Sequence, residues 1–475
     1  MKFDIRGILM VAGFSLAVVI GGCAGTRGPG GVRDKDNPYA FLDDAAMDKF
    51  DDDLHDLQKA IERGDAPAEV SLRRAIGEQA RQYQSALISA LNDNSSMQRR
   101  RMASIVLGFT GDASVVGPLM LKVEEDEPES VRHMAVLGLA TLDRKLRDFP
   151  KHADLMAVLR RVMENKDTSA SMRRSAVQAY AAAYDRVLND SISPLRDRFV
   201  SDKDLGVQVA SVNALGDIGD KAATTDLIGV GLSHPSSEIR LASAISLGKI
   251  QDSRVIVPAL VISASDDENT LVRREAVNSL TAHFASDPDV VFSALMLGLT
   301  DFGDGVREAA ALALARTKDS RAIDPLLQAT GDRTAIVRRA AADGLGNLLT
   351  KEKEVSAFPL VDLLADQTPA VRASAQKSLV KITTRDFGDD QSKWRGYFYV
   401  TYKELDPANA YVGKPKPRMT SNITGGGGRT SSSRPSTGRS TSGTRPSSSG
   451  TRPSSSGTRT SGTGTRGSGT TPRRN

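Results

Sequence analysis

The chain has 475 residues, only 5% of them aromatic, and a formal net charge of +5. The charge is unevenly divided: residues 414–475 contain twelve Lys or Arg and no Asp or Glu, whereas residues 23–413 contain 49 Lys or Arg against 57 Asp or Glu. Because the body is acidic, the basic charge of the whole chain is not evidence for nucleic-acid binding. The single cysteine excludes an intrachain disulfide.

The first segment has the features of an export signal. Two positive residues precede an apolar stretch, residues 8–20, which is too short to span a bilayer comfortably. It ends in a sequence that resembles the bacterial lipobox, in which small residues precede a lipid-accepting cysteine: Ile20, Gly21, Gly22 and Cys23. The resemblance predicts a signal peptide over residues 1–22 and a lipid-anchored protein of the cell envelope. An ordinary signal peptide and an uncleaved anchor are the alternatives.

The residue after Cys23 bears on which membrane is expected. It is Ala24 rather than Asp. By the sorting rule of the lipoproteins that this segment resembles, this favours the outer membrane, on its periplasmic or surface face.

A tether and two helices are predicted next. Residues 23–42 contain Gly and Pro and are interpreted as a flexible tether. Residues 43–84 are interpreted as N-terminal capping helices, because apolar residues recur there in steps of three and four. The first stripe is Met47, Phe50, Leu54, Leu57 and Ile61.

A repeated frame with spacings of 31 to 41 residues occupies residues 85–385. A residue called position zero is followed by Arg at +1 and Leu at +8, each in eight of nine units. Position +4 is small, Ala in most units, and position −5 is Asp in seven. Position zero falls at Arg99, Val131, Met172, Val207, Ile239, Val272, Val306, Val337 and Val371.

The frame predicts a helix, a turn and a second helix in every unit. Positions 0, +4 and +8 form one apolar stripe, and a small residue at +4 lets a neighbouring helix approach. Asp at −5 suits the turn before the second helix, because its side chain caps free backbone N–H groups. Upstream prolines suit the start of the first helix, and they are Pro118, Pro194, Pro258, Pro325 and Pro359. The expected fold is an all-α solenoid.

This Asp…Val-Arg…Ala…Leu-Gly frame resembles the HEAT repeat family, in its short variety of about 30 residues named after phycobilisome lyases. The resemblance implies about nine HEAT-like repeats. It also implies that Asp and Arg of neighbouring units form a structural ladder rather than a binding patch. The ladder residues are Asp126, Arg132, Asp167, Arg173, Asp267, Arg273, Asp301, Arg307, Asp332, Arg338, Asp366 and Arg372.

Two segments depart from the frame. The longest spacing inserts about eight residues near 144–152, and we interpret them as a solvated connector rather than a functional loop. Residues 386–413 contain the only Trp and the densest aromatic cluster. A solenoid needs a cap over its open apolar end, so we expect a cap there, with ligand recognition as the alternative.

The last segment, residues 414–475, consists mainly of Ser, Thr, Gly, Pro and Arg. It has too few apolar residues to fold alone and is predicted to be disordered. Its charges predict weak, salt-sensitive binding of polyanions. A soluble spacer is the alternative.

We assign no catalytic, cofactor-binding or metal-binding residue. The sequence contains no Gly-x-Ser-x-Gly motif, and its five histidines are scattered. The leading hypothesis is a lipid-anchored envelope scaffold that binds a partner protein, whose identity the sequence does not give. The alternatives are a protein that tethers polyanions or the cell wall through its tail, and a HEAT-like-repeat lyase. The lyase is disfavoured because the lyases of this family act on cytosolic chromophore proteins.

Overall fold

A computed structural model describes residues 32–33, 41–124 and 127–405. They belong to the first of the two units into which the chain divides, Met1–Gly413. The predicted signal peptide, Cys23, Asp126 and residues 414–475 lie outside the described residues, as do most of the predicted tether and the end of the predicted cap.

The N-terminal part contains a short strand pair and two helices. Strand β1 (Val32–Arg33) pairs antiparallel with strand β2 (Phe41–Leu42), which the expectation of a flexible tether over residues 23–42 missed. Helices Asp44–Glu62 and Ala66–Gln82 follow. Each begins after an aspartate that accepts a backbone hydrogen bond, as N-cap residues do.

Nine helical pairs follow, and they confirm the predicted all-α solenoid of about nine units. We number them units 1 to 9. The first helices are Gln84–Ala90, Val116–Glu124, His152–Glu164, Ser193–Ser201, Thr224–Asp226 with its π-helical continuation Leu227–Gly231, Ser253–Asp266, Pro288–Gly298, Ile323–Ala329 and the 3-10 helix Lys351–Ala365. The second helices are Met97–Leu107, Glu129–Thr141, Ala170–Ala183, Leu205–Ile218, Ser237–Leu247, Thr270–Ala282, Asp304–Thr317, Ala335–Leu348 and Pro369–Thr383.

Short 3-10 turns connect several of these helices. They are Gly108–Thr110, Ala113–Val115, Asp143–Asp148, Lys221–Ala223 and Ser320–Ala322.

Position zero of the repeat frame is the third residue of the second helix in all nine units. The sequence frame therefore fixes where each second helix begins.

Consecutive second helices form one closely packed layer. The +8 leucine of unit 8, Leu345, is fully buried, and so is the +4 alanine, Ala341. At +9, Gly346 faces Ser378 of unit 9, whose hydroxyl donates to the Ala342 carbonyl at 2.9 Å. Gly216 and Ser246 make the same contact between units 4 and 5. Small residues at these positions allow the helices to approach.

Two details differ from the sequence expectations. Pro258 and Pro359 lie inside the helices Ser253–Asp266 and Lys351–Ala365 rather than at their starts, and Pro258 is exposed. The insertion near 144–152 is more than a solvated connector, because Leu146 is fully buried and His152 is largely buried. The Arg147 Nε also donates to the Ala182 carbonyl of unit 3 at 3.2 Å.

The aromatic segment after unit 9 packs onto that unit. Helix Gln391–Thr401 buries Trp394 and Phe398 completely, and the Trp394 indole donates to the Gly388 carbonyl at 3.0 Å. Phe398 meets Phe358 of unit 9 edge to face, with ring centroids 5.6 Å apart. This packing covers the apolar end of the last unit, which is what a cap must do. A final 3-10 turn spans Lys403–Leu405.

We predict that Gly346→Ala destabilises the solenoid by about 1–3 kcal/mol. An added Cβ would lie 2.3 Å from the Ser378 Oγ and 2.8 Å from the Ser378 Cβ, so the two helices must move apart. Chemical denaturation would measure the loss. Ser378→Gly in the same chain should recover part of it.

The matched control is Gly396→Ala, at a helical glycine whose added Cβ meets no atom within 4 Å. It should be neutral or stabilising by up to about 1 kcal/mol, because Ala favours helix over Gly. Equal effects of the two substitutions would contradict the close-approach explanation.

Candidate functional site

The turn between the two helices of a unit is organised by one aspartate side chain. In units 4, 6, 7, 8 and 9 its Oδ1 accepts the backbone N–H two residues further on, at 2.7–3.0 Å. The donor residue directly precedes the second helix. The carboxylate therefore fixes the turn and the start of that helix.

The same carboxylate is bound by an arginine from the preceding unit. The Arg273 Nε donates to Asp301 Oδ2 at 2.8 Å, and its Nη2 donates to Oδ1 at 2.9 Å. Its Nη1 donates to the Asp267 carbonyl of its own turn, also at 2.8 Å. One guanidinium thus joins the turns of two units with a rigid fork of donors.

This arrangement recurs between most neighbouring units. The rungs are Arg173–Asp202, Arg240–Asp267, Arg273–Asp301, Arg307–Asp332 and Arg338–Asp366. The five Asp side chains are only 2–14% exposed. The ladder carboxylates are therefore occupied and unavailable to a ligand.

The structure places the other predicted ladder residues differently. Arg132 donates to the Val123 carbonyl at 3.1 Å, and no described residue forms an ion pair with Asp167. The insertion lies between Arg132 and Asp167 in the chain, where the spacing of the frame is longest. Arg372 donates to the Asp366 carbonyl at 2.8 Å, but no tenth unit follows to supply a carboxylate.

The frame missed the carboxylate that binds the arginine of unit 1. Arg100 pairs with Glu127 at 3.1 Å, and Lys122 pairs with the same group at 3.3 Å. Glu127 directly follows Asp126, the residue that the frame assigns. The repeat frame is defined by positions on helices, so it cannot tell which of two consecutive acids in a turn binds the arginine.

The ladder favours the charged form of four of its aspartates. Burial raises the pKa of Asp332, but hydrogen bonds from Arg307 and from the Thr334 N–H outweigh it and lower the pKa below 3.8. Asp202 and Asp301 have lowered pKa values by the same balance of causes. At Asp366 the Arg338 hydrogen bond is the largest cause of the lowered pKa.

Three of the five histidines, His133, His152 and His283, are buried or half-buried in separate units. Burial lowers the pKa of His283, whose Nε2 donates to the Leu247 carbonyl at 3.0 Å. His152 bonds Asp190 at 2.8 Å, and His133 bonds Ser175 at 3.1 Å. Within the described residues, no group of three or more His, Cys, Asp or Glu is placed to hold a metal ion.

A buried acid lies under the C-terminal cap. Glu354 is 2% exposed and accepts hydrogen bonds from the Tyr397 and Tyr402 hydroxyls, both at 2.9 Å. Lys351 pairs with the same carboxylate and also donates to the Thr383 carbonyl at 3.2 Å. These contacts join the cap to unit 9 and leave Glu354 with its partners inside the fold.

The accessible surface of the second-helix layer carries both signs of charge. Pairs run between neighbouring units there, as in Arg339–Glu308 at 3.0 Å and Lys249–Asp217 at 2.7 Å. The Arg339 and Lys249 side chains are each 44% exposed.

None of the helices in the described part of the chain is both long enough and apolar enough to cross a membrane.

We predict that Arg307→Met destabilises the solenoid by about 3 kcal/mol, because it leaves the Asp332 carboxylate largely buried without its partner. Arg307→Lys should restore little, since an ammonium cannot form the fork. Thermal unfolding followed by circular dichroism would measure both variants.

Arg321→Met is the matched control. Its 48% exposed side chain pairs with Asp289 and Asp319. Ion pairs of exposed side chains contribute little, so the melting temperature should hardly change. A similar loss in the Arg321 and Arg307 variants would count against a structural role for the ladder.

We predict that stability falls in acid through the ladder. The folded pKa values of Asp202, Asp301, Asp332 and Asp366 lie below 3.8, so their contribution is complete above the unfolded value. It is lost as the pH falls through the lower folded values. Urea midpoints measured from pH 6 to pH 2 would test this. Asp332→Asn should be less stable at pH 6 and should lose less on acidification than the wild type does.

The sequence was compared with protein-family models and with curated proteins. A family model described as HEAT repeats matches residues 192–281 and 292–383, which correspond to units 4 to 6 and 7 to 9. No curated protein matches the sequence significantly.

Three solved structures illustrate the likeness. An engineered protein is 19% identical with a TM-score of 0.41, covering 67% of this chain and 93% of its own. A chain from a structure of Kap95p with RanGDP is 13% identical with a TM-score of 0.46, covering 71% of this chain and 55% of its own. The Escherichia coli protein YibA is 19% identical with a TM-score of 0.36, covering 66% of this chain and 96% of its own.

The frame, the helix pairs and the family match agree that residues 192–281 and 292–383 are HEAT repeats.

Proposed function

We propose that this protein is a lipid-anchored scaffold of the cell envelope that binds partner proteins through its solenoid. The observation that carries the proposal is the ladder of bidentate Arg–Asp pairs. It fixes neighbouring units in register, so that their outer side chains form one extended surface. Solenoids of stacked helical pairs present surfaces of this kind to other proteins.

The anchor is proposed from the sequence. Cys23 follows an apolar stretch and two glycines, as in a lipobox. Acyl chains contribute roughly 0.8 kcal/mol for each buried methylene, so two or more chains hold a protein stably on a membrane. A scaffold held there would gather its partners at the membrane surface, and the outer membrane is the proposed location.

We favour binding over catalysis because the most buried acids among the described residues already have structural partners. The buried ladder aspartates bind arginines, and Glu354 binds Tyr397, Tyr402 and Lys351. A general acid or base needs an accessible proton-transfer position close to its substrate. These carboxylates are enclosed instead by the contacts that hold the units together.

A second role is proposed for the tail. Its twelve positive charges, with no negative charge among them, favour weak binding of a polyanion through counterion release. The full chain should bind an anionic glycopolymer or DNA at low salt and release it as the salt concentration rises. A variant with all Lys and Arg of residues 414–475 replaced by Gln should not bind. Equal binding by the two proteins would assign any affinity to the body.

We predict that Cys23→Ser releases the protein from membranes into the soluble fraction. Detergent partitioning and mass spectrometry of the mature N-terminus would test this, with acylated Cys23 expected as the first residue of the wild type. A wild-type protein without acyl mass would contradict the anchor.

The scaffold role is tested by chemical crosslinking in intact cells. The wild type should give a reproducible adduct with the same protein in independent experiments. Absence of any such adduct, in cells that produce the folded protein, would contradict the scaffold role.

A further inference from the structure

The first helices of units 6 and 7 expose aliphatic side chains in a regular arrangement. In the helix Ser253–Asp266, Val255 and Ile262 are 49% and 61% exposed. In the helix Pro288–Gly298, Val290 and Leu297 are 44% and 62% exposed. Each pair is seven residues apart, or about 10 Å along one side of a helix. The two helices pack against each other, and each pair lies at the third and tenth residues of its helix. We call these four exposed side chains the aliphatic face.

This face has no charged residue within it. Residues 255–265 and 290–300 contain no Asp, Glu, Lys or Arg. The first helix of unit 3 shows the usual pattern instead, with Arg160 and Arg161 58% and 68% exposed. A helix with aliphatic residues on its outer side as well as its inner side is typical of one that is covered on both.

Polar groups border the aliphatic face. Arg254 precedes it on one helix. At the start of the other, Arg321 binds Asp289 at 2.8 Å and lies over the Phe292 ring, 4.5 Å from its centroid. Asp266 ends the first of the two helices. An apolar centre inside a polar rim is the arrangement found at protein interfaces.

The remaining chain offers little to cover this face. Residues 406–475 contain only four large apolar residues, namely Tyr411, Val412, Met419 and Ile423. The one long apolar stretch outside the described residues, 8–20, belongs to the segment whose removal the lipobox predicts. The occupant is therefore expected to come from another molecule.

The size of the face favours a single helix over a second copy of the chain. The helices have 14 and 11 residues, so each is about 16–21 Å long. With an axis separation of about 10 Å, the face covers roughly 400 Å², whereas a stable interface buries about 800 Å² on each partner. An aliphatic face of this length accommodates about three turns of one helix.

We propose that the aliphatic face binds one amphipathic helix of a partner protein, with aliphatic residues at positions i, i+3 or i+4, and i+7. The inference rests on the proposed scaffold function and specifies where one partner binds and by what chemistry. Helices recognised in apolar grooves use this spacing, because it places their anchors on one side. The aliphatic side chains of the partner would lie between the rows formed by Val255 with Ile262 and by Val290 with Leu297.

The first test uses a displayed library of 18-residue peptides with aliphatic residues fixed at this spacing. Peptides selected on the full chain should bind with micromolar affinity. Ile262→Asp combined with Leu297→Asp should weaken binding at least tenfold, because the peptide would desolvate two carboxylates. Both positions are more than half exposed, so the fold should tolerate the change, and an unchanged melting curve would verify this.

The matched control is Val200→Asp, at a 52% exposed valine on the first helix of unit 4. Charged residues surround it, including Arg196 and Arg198, and it should leave peptide affinity within twofold. Peptides that bind the Ile262/Leu297 variant as tightly as the wild type would overturn the inference. So would a failure to select any peptide, or a wild-type dimer in sedimentation that the double substitution dissociates.

Photocrosslinking in cells distinguishes this inference from the scaffold role when a photoreactive residue is incorporated into the protein at one of two positions. Ser293 is exposed on the aliphatic face, and Lys377 is exposed on the second-helix layer. An adduct at Ser293 supports the inference when its crosslinked peptide is an amphipathic helix of the stated spacing and the double substitution abolishes it. An adduct at Lys377 alone overturns the inference and leaves the scaffold role standing. Adducts at neither position would contradict both.

Discussion

The arginine of each of the five Arg–Asp rungs binds at least three oxygen atoms that belong to two units, and the register of the solenoid depends on this connection. Arg307 binds both oxygens of Asp332 in the next unit and the Asp301 carbonyl in its own. Because the guanidinium is planar, these bonds fix the angle between neighbouring turns as well as their distance. Asp332 also accepts the Thr334 N–H, so the same carboxylate sets the start of the next second helix.

Apolar packing stabilises the contact between neighbouring helices, whereas the ladder sets their register. The hydrophobic term is proportional to buried area and has no preferred direction, so it cannot by itself choose how far one helix slides along the next. The hydrogen bond from Ser378 to the Ala342 carbonyl, beside Gly346, helps to fix the position of one second helix along the next. Where the ladder is interrupted, between Arg132 and Asp167, burial of Leu146 and the Arg147 bond to Ala182 help to join units 2 and 3.

This division of roles separates the parts of the surface. On the ladder edge, the charges of the five Arg–Asp rungs are paired and largely buried. The outer side of the first helices carries none of these constraints, so its composition varies from the charged surface of unit 3 to the aliphatic face of units 6 and 7. In a repeat protein each unit contacts only its neighbours, and the outer positions are therefore free to serve binding without loss of the fold.

The sequence alone determined the unit count, the position of each second helix and the identity of most ladder residues, because helical periodicity and turn chemistry are local and recur nine times. It also predicted a cap over residues 386–413, and within the described part of that segment Trp394 and Phe398 are buried. Only the tertiary structure decided which carboxylate meets which arginine, as with Glu127 beside Asp126, and which aliphatic residues stay exposed. Val255 and Val257 are both aliphatic and lie on one helix, yet the first is 49% and the second 1% exposed. That difference arises from the neighbouring helices, which a single unit's sequence does not contain.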